Sequence, residues 1–315
     1  HVHGIRKLGR ANQDTVYFGA WKTVEDKLVQ EHSHTFMTSC AVTNYQRKLA
    51  LQYRYGLLPS QKLLYRYKKA DNDRCLLCGS PDGGHHAVSG CPQISKAVTL
   101  RHNAAGTAIV EAIYNGSKGN QLIASDVGVN KRRQAQGLPK LATGRTIPTA
   151  ALPREVPAKI KQQLTSGSVP DAVLYHFDRK RRQRNYTLVE IKYCRDTNPE
   201  EQIMRAEAQH ADLAGTLKMY DPTANIRQCN LMLGVSGAIY TSTAQHLQSD
   251  LGVDGSELSN LLKKLHLIAI EHLEKIWRYR RAKIKERAGK KLLKPHVRNP
   301  RNPRNRRMKP ARPKR

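Results

Sequence analysis

The chain holds 315 residues, with 55 Lys and Arg against 25 Asp and Glu, a net charge of +30 and a mean hydropathy of -0.64. No apolar run reaches the ~20 residues of a membrane span and no signal-peptide pattern is visible, so a membrane partner is not expected. So large a positive charge repels itself and calls for a polyanion, nucleic acid before an anionic lipid surface.

A first residue of His1 rather than Met leads to the expectation of a piece cut from a longer polypeptide. Residues up to about 70 read as basic and helical. Trp21, Val24, Leu28 and Val29 recur at helical spacing, which predicts a helix over Trp21–Glu31. Val42–Tyr67 predicts two helices broken at Gly56 and Pro59. Arg47, Lys48, Arg54, Lys62, Arg66, Lys68 and Lys69 alternate with tyrosines along this run. Two readings stand: phosphate contact with base stacking, or tyrosines in a helical core beneath solvated charges.

Of the six cysteines, three cluster with a histidine as Cys75-x2-Cys78-x7-His86-x4-Cys91. That grouping suits metal ligation in a reducing compartment rather than a disulfide framework. Two thiolates on a tight turn eased by Gly79, closed by a later His and Cys, make a four-donor shell for structural Zn²⁺. His85 is an alternative donor one residue earlier. Cys194 and Cys229 fall in apolar strand-like runs and read as core; Cys40 has no assigned role.

Residues 97–115 predict a helix, with Arg101-His102-Asn103 near its start and Glu111 in its middle. Residues 117–167 read as loops around a short strand near Gln121–Ala124. Then come two strands, Ser168–Phe177 and Tyr186–Cys194, joined by a charged segment from Asp178 to Asn185. Asp171 opens the first. Glu190 and Lys192 lie two apart on the second and therefore share a face. Two carboxylates suit a hard cation such as Mg²⁺, and a neighbouring ammonium can orient water and stabilise negative charge. That set fits phosphodiester hydrolysis. The plain alternative is a turn aspartate and an exposed Glu-x-Lys pair, against which stand Leu188, Val189 and Ile191: charges on a buried strand are costly unless paired or metal-bound. A helix is predicted over Pro199–Met219, capped by Asn198. Strands follow at Cys229–Val235 and Ala238–Tyr240, then a largely helical His246–Arg280. The element order gives the fold class α/β, a small mixed sheet flanked by helices. From Arg278 to Arg315 there are 18 Lys or Arg and one acid, Glu286. This tail, with its Asn-Pro-Arg repeats, is expected to be disordered, binding phosphates or serving nuclear import.

Pro170-Asp171 followed by Glu190-Ile191-Lys192 resembles the PD-(D/E)xK nuclease signature. Joined to the Cys-Cys-His-Cys knuckle, the region from about 40 to 240 resembles the C-terminal part of a non-LTR retrotransposon polyprotein with a restriction-like endonuclease. The resemblance implies a knuckle at 71–96 and a restriction-endonuclease-like core at 97–245. These lie between a basic helical linker at 1–70 and a C-terminal helix at 246–280, with the disordered tail at 281–315. It implies Asp171 and Glu190 as Mg²⁺ or Mn²⁺ ligands and Lys192 as the catalytic lysine. Arg101-His102-Asn103 resembles a segment that precedes the nuclease motif, and Arg101 and His102 are expected to contact nucleic acid. The activity implied is nuclear: nicking of target DNA, whose 3′-hydroxyl primes copying of the element RNA by an upstream reverse transcriptase domain of the same polyprotein. The 18-residue gap between Asp171 and Glu190 exceeds the family's usual dozen or so. The loop carrying Lys180, Arg181, Arg182 and Arg184 accounts for it and is expected to reach DNA; with Asp178 as ligand instead, the pairing changes. For the extra acid of such nucleases, Glu111 is preferred over Glu155. A non-catalytic nucleic-acid-binding module and a stand-alone repair or junction nuclease are the competing functions.

Overall fold

The computed structural model describes residues 21–142, 151–154 and 170–292. Glu155 and the segment from 293 onward lie outside the described residues. The protein is mixed α/β: a four-stranded mixed sheet flanked by helices. Among the described residues its α-helices of five residues or more are α1 (Asn44–Arg54), α2 (Gln61–Arg66), α3 (Ser95–Asn115), α4 (Asn130–Ala135), α5 (Glu200–Gln209), α6 (Ala211–Tyr220), α7 (Thr241–Gln245) and α8 (Gly255–Leu292). The strands are β1 (Leu122–Ser125), β2 (Ala172–Asp178), β3 (Gln183–Cys194) and β4 (Asn225–Gly234).

The strand order is β1-β2-β3-β4. The first three pair antiparallel, and β4 runs parallel to β3 after the α5–α6 crossover. One sheet face, with Leu174, Val189, Ile191, Cys229 and Leu231, is covered by Ile109 and Ile113 of α3 and Leu261, Leu262 and Leu265 of α8. The other, with Val173, Tyr186 and Leu188, is covered by Leu213 and Leu217 of α6. Each such aliphatic side chain contributes about 1.5–3 kcal/mol on burial. α3 lies close on the sheet because it is built of small residues. A Cβ on Gly106 would stand 3.7 Å from Ile191 Cδ1 of β3 and 2.7 Å from Val127 Cγ2 just beyond β1.

A second core unites α1, the knuckle and α8: Leu49, Ala50, Cys75, Leu77, Val88 and Cys91 pack with Leu273, Ile276 and Trp277. α1 begins at a capping box, Thr43 with Gln46, and the chain breaks after it at Gly56, with φ +67° as a left-handed turn requires. The tyrosines divide: Tyr53 is buried in this core, while Tyr55, Tyr65 and Tyr67 are exposed.

Three expectations are corrected. Trp21–Glu31 is not one helix: Val29 N–H donates to the Ile239 carbonyl and Leu28 bridges Tyr240, so tertiary pairing overrides the periodicity. The predicted 199–219 helix is two, α5 and α6, broken at His210. The helix predicted to end at Arg280 continues as α8 to Leu292, twelve residues into the expected disordered tail. It is held there by the knuckle, since Lys283 donates to the Gln93 carbonyl at 2.8 Å and Arg287 to that of Leu76 at 3.1 Å.

Candidate functional site

The β2–β3 register decides the geometry. Ala172 pairs with Val189, so the next step places Asp171 opposite Glu190. Directly opposed residues share a face about 5 Å apart at Cβ, and like charges there repel. Both are nonetheless buried, Asp171 at 7 % exposure and Glu190 at 2 %. Asp171 Oδ2 accepts the Ile191 N–H at 2.7 Å, and Oδ1 accepts from His102 Nε2 at 2.9 Å. Glu190 Oε1 is bonded by the Lys192 ammonium and, at 3.2 Å, by Gln209 Nε2; Oε2 is 2.7 Å from His210 Nε2. Burial raises the Glu190 pKa, but the hydrogen bonds from His210 and Lys192 outweigh it and hold the carboxyl below its ordinary range. The His102 pKa is raised, first by its bond to Asp171, against burial.

Each element serves this cluster. Pro170 leads into β2. α3 aims His102 at Asp171. The break between α5 and α6 turns His210 inward, where it is 1 % exposed. No family model matches the chain, and no match to a curated protein was found. The site therefore rests on its own geometry.

The structure brings together Asp171, Glu190, Lys192 and His102. It leaves out other predicted residues. Glu111 is nine residues beyond His102, half a turn round α3, and stands 3.9 Å from Lys264 of α8. Asp178 is the last residue of β2, and its Oδ1 accepts the amides of Lys180 and Arg181 in the turn that follows. That turn, with Lys180, Arg181 and Arg182 exposed, lies at the far end of the seven-residue β2, about 24 Å from Asp171. Arg184 is tied to Asp221 at 2.9 Å. Arg101 is wholly buried and lines a cavity beside the pair rather than the open surface. Sequence reasoning missed Gln209 and His210, and the main-chain tie from Asp126. Asp126, exposed and one residue past β1, donates its N–H to the Asp171 carbonyl at 3.0 Å. Its place just beyond a strand end was the signal available.

The knuckle is a second cluster. The donor atoms of Cys75, Cys78, His86 and Cys91 all lie within 4.8 Å of one another. Cys75 and Cys91 Sγ are 3.8 Å apart, and Cys78 Sγ is 3.3 Å from His86 Nε2. This set can hold a metal such as zinc. His85 is not part of it: its Nδ1 is 3.0 Å from the Tyr53 hydroxyl, and burial lowers its pKa to about 4. Burial works against ionising Cys75, but the amides of Leu77 and Cys78 prevail and lower its pKa. Behind the ligands, Arg280 donates to Cys75 Sγ at 3.4 Å and pairs with buried Asp82 at 2.7 Å.

Cys229, His246 and Asp250 also bring donor atoms within 4.8 Å. Here the Asp250 carboxylate is already met by His246 at 2.7 Å and Arg227 at 3.4 Å. Among the described residues no helix is long and apolar enough to cross a membrane.

Proposed function

We propose that the chain is a metal-dependent DNA endonuclease of restriction-endonuclease-like fold. The observation that carries this reading is the cross-strand pair Asp171 and Glu190 with Lys192 on the same carboxylate. Two carboxylates buried side by side with a partly buried lysine on one of them are costly to assemble, and such clusters concentrate at functional sites. Oxygen donors of this kind fit Mg²⁺ or Mn²⁺. When bound, the ion supplies Lewis acidity at the scissile phosphate and at the attacking water. The chain's own residues do the rest. Asp171 is fixed by the Ile191 amide and His102, and Glu190 by His210 and Gln209. Neither carboxylate has to be reorganised before it acts. Lys192 is the one flexible cation among them. Released from Glu190, it orients the water and offsets charge as the phosphorus becomes five-coordinate.

In this reading zinc at the knuckle is structural, the net charge of +30 grips the DNA backbone, and the chain is the C-terminal part of a retrotransposon polyprotein. It nicks nuclear target DNA. The 3′-hydroxyl released primes reverse transcription of the element RNA by an upstream domain. Zinc-loaded protein with Mg²⁺ converts supercoiled plasmid to open circles, while Asp171→Ala and Lys192→Ala bind DNA without cutting it. Undiminished cutting by either variant overturns the assignment. Tight, salt-sensitive binding with no metal-dependent cleavage points instead to a nucleic-acid-binding module.

A further inference from the structure

Beside the carboxylate pair lies a cavity of about 270 Å³, lined by Ser89, Thr99, Arg101, His102, Lys192 and Tyr193, with Val98 and Ile191 as its apolar wall. Arg101 is fully buried, with its guanidinium carbon 4.1 Å from the centre of the Tyr193 ring. Among the described residues its one hydrogen bond runs from Nη2 to Ser89 Oγ, 3.0 Å; the N–H groups at Nε and Nη1 have no acceptor. The buried Tyr193 hydroxyl is likewise without a partner. A guanidinium in such a place, with no carboxylate in ion-pair contact among the described residues, is costly unless an anion joins it. The lining is itself selective. Arg101, Lys192 and His102 supply positive or proton-donating groups, Ser89 and Thr99 supply hydroxyls, and the walls carry no Asp or Glu. Arginine presents a fork of donors matched to phosphate oxygens, and the volume approaches the ~300 Å³ of the smallest small-molecule sites.

We propose that this cavity is a phosphate subsite for the nucleic-acid strand, taking a nucleotide next to the one that is cut, with Arg101 as its buried anchor. It rests on the nuclease reading for which strand is bound. Two of its walls, Lys192 and His102, touch the carboxylate pair directly, so a phosphate seated there sets the register of the scissile bond. A third, Ser89, belongs to the turn His86–Gly90, which carries the knuckle ligand His86. The knuckle thereby supplies one wall of the subsite.

The test is calorimetric titration of the zinc-loaded chain, without magnesium, with the dinucleotide pTpT and separately with inorganic phosphate. The proposal expects one pTpT per chain, bound at least tenfold tighter than inorganic phosphate. Arg101→Gln weakens it tenfold or more. Thr99→Trp, which blocks the mouth from an exposed helix position and leaves Arg101 in place, does the same. Parent-like affinity in Thr99→Trp, or in a folded Arg101→Gln, overturns the subsite. So does equal affinity for pTpT and inorganic phosphate, which marks a free-anion site. If plasmid cutting is absent while pTpT binds as described, the subsite stands and the nuclease reading falls. If cutting is intact and pTpT does not bind, the reverse holds.

Discussion

His210 Nε2 lies 2.7 Å from Glu190 Oε2, with neither side chain more than 3 % exposed. His210 is also the residue at which the helical run between β3 and β4 breaks. The break and the bond are one feature, since a continuous helix would not turn this imidazole onto the carboxylate. His210→Ala leaves a buried carboxylate oxygen short of a partner, which costs about 1.5–3 kcal/mol. Urea denaturation of the zinc-loaded protein should show a lowered midpoint at an unchanged m-value. A loss under ~0.5 kcal/mol, the ordinary effect of a surface substitution, contradicts that role.

Arg280 and Asp82 form a buried ion pair at 2.7 Å, with side chains 3 % and 0 % exposed. Removing one partner of such a pair strands the other charge and costs about 3–5 kcal/mol. Arg280→Ala should lose that much in denaturation, and Asp82→Asn with Arg280→Met together should lose less than Arg280→Ala alone. Arg280 also donates to Cys75 Sγ, so Arg280→Ala should bind zinc more weakly in competition with a chromogenic chelator.

Trp277 is 6 % exposed and shares a core with Cys75, Leu77 and Cys91. Withdrawing zinc frees the knuckle turn, because metal binding and local folding are coupled. In a Trp21→Phe background, chelation should shift the tryptophan emission to the red and lower the melting temperature. Re-adding Zn²⁺ should restore both. An emission spectrum indifferent to chelation would show that the knuckle holds its place on α8 without metal.

The pKa of His102 is raised above 6.5 by Asp171. A raised folded-state pKa contributes stability that is complete below the unfolded value and is lost as pH rises through the folded one. The stability difference between the parent and His102→Gln, without added magnesium, should therefore be largest below pH ~6 and shrink as the solution becomes alkaline. A difference that grows with pH contradicts the His102–Asp171 pairing.

Where local pattern decides, the sequence was readable. The hairpin, α3, the α1–α2 break at Gly56 and the knuckle ligands follow from periodicity, turn residues and spacing. The Asp171–Glu190 opposition follows from the register of two adjacent strands. What could not be read depends on partners distant in the chain. Glu111 sits on the right helix, but half a turn separates it from His102, and only the docking of α3 shows which face meets Asp171. The His210 break carries no Gly or Pro. The last twelve residues of α8 look like tail because charge dominates them, yet Gln93, Leu76 and Leu77 supply carbonyls that accept their lysine and arginine donors. Arg101 reads as a surface cation by type and is buried through stacking on Tyr193.

The account rests on two acids sharing one divalent ion. Electron paramagnetic resonance counts that ion directly, with Mn²⁺ titrated into zinc-loaded protein. One tightly bound Mn²⁺ is predicted for the parent, and none for Asp171→Asn or Glu190→Gln, with zinc content unchanged in all three. Mn²⁺ bound equally by the parent and either variant would contradict it.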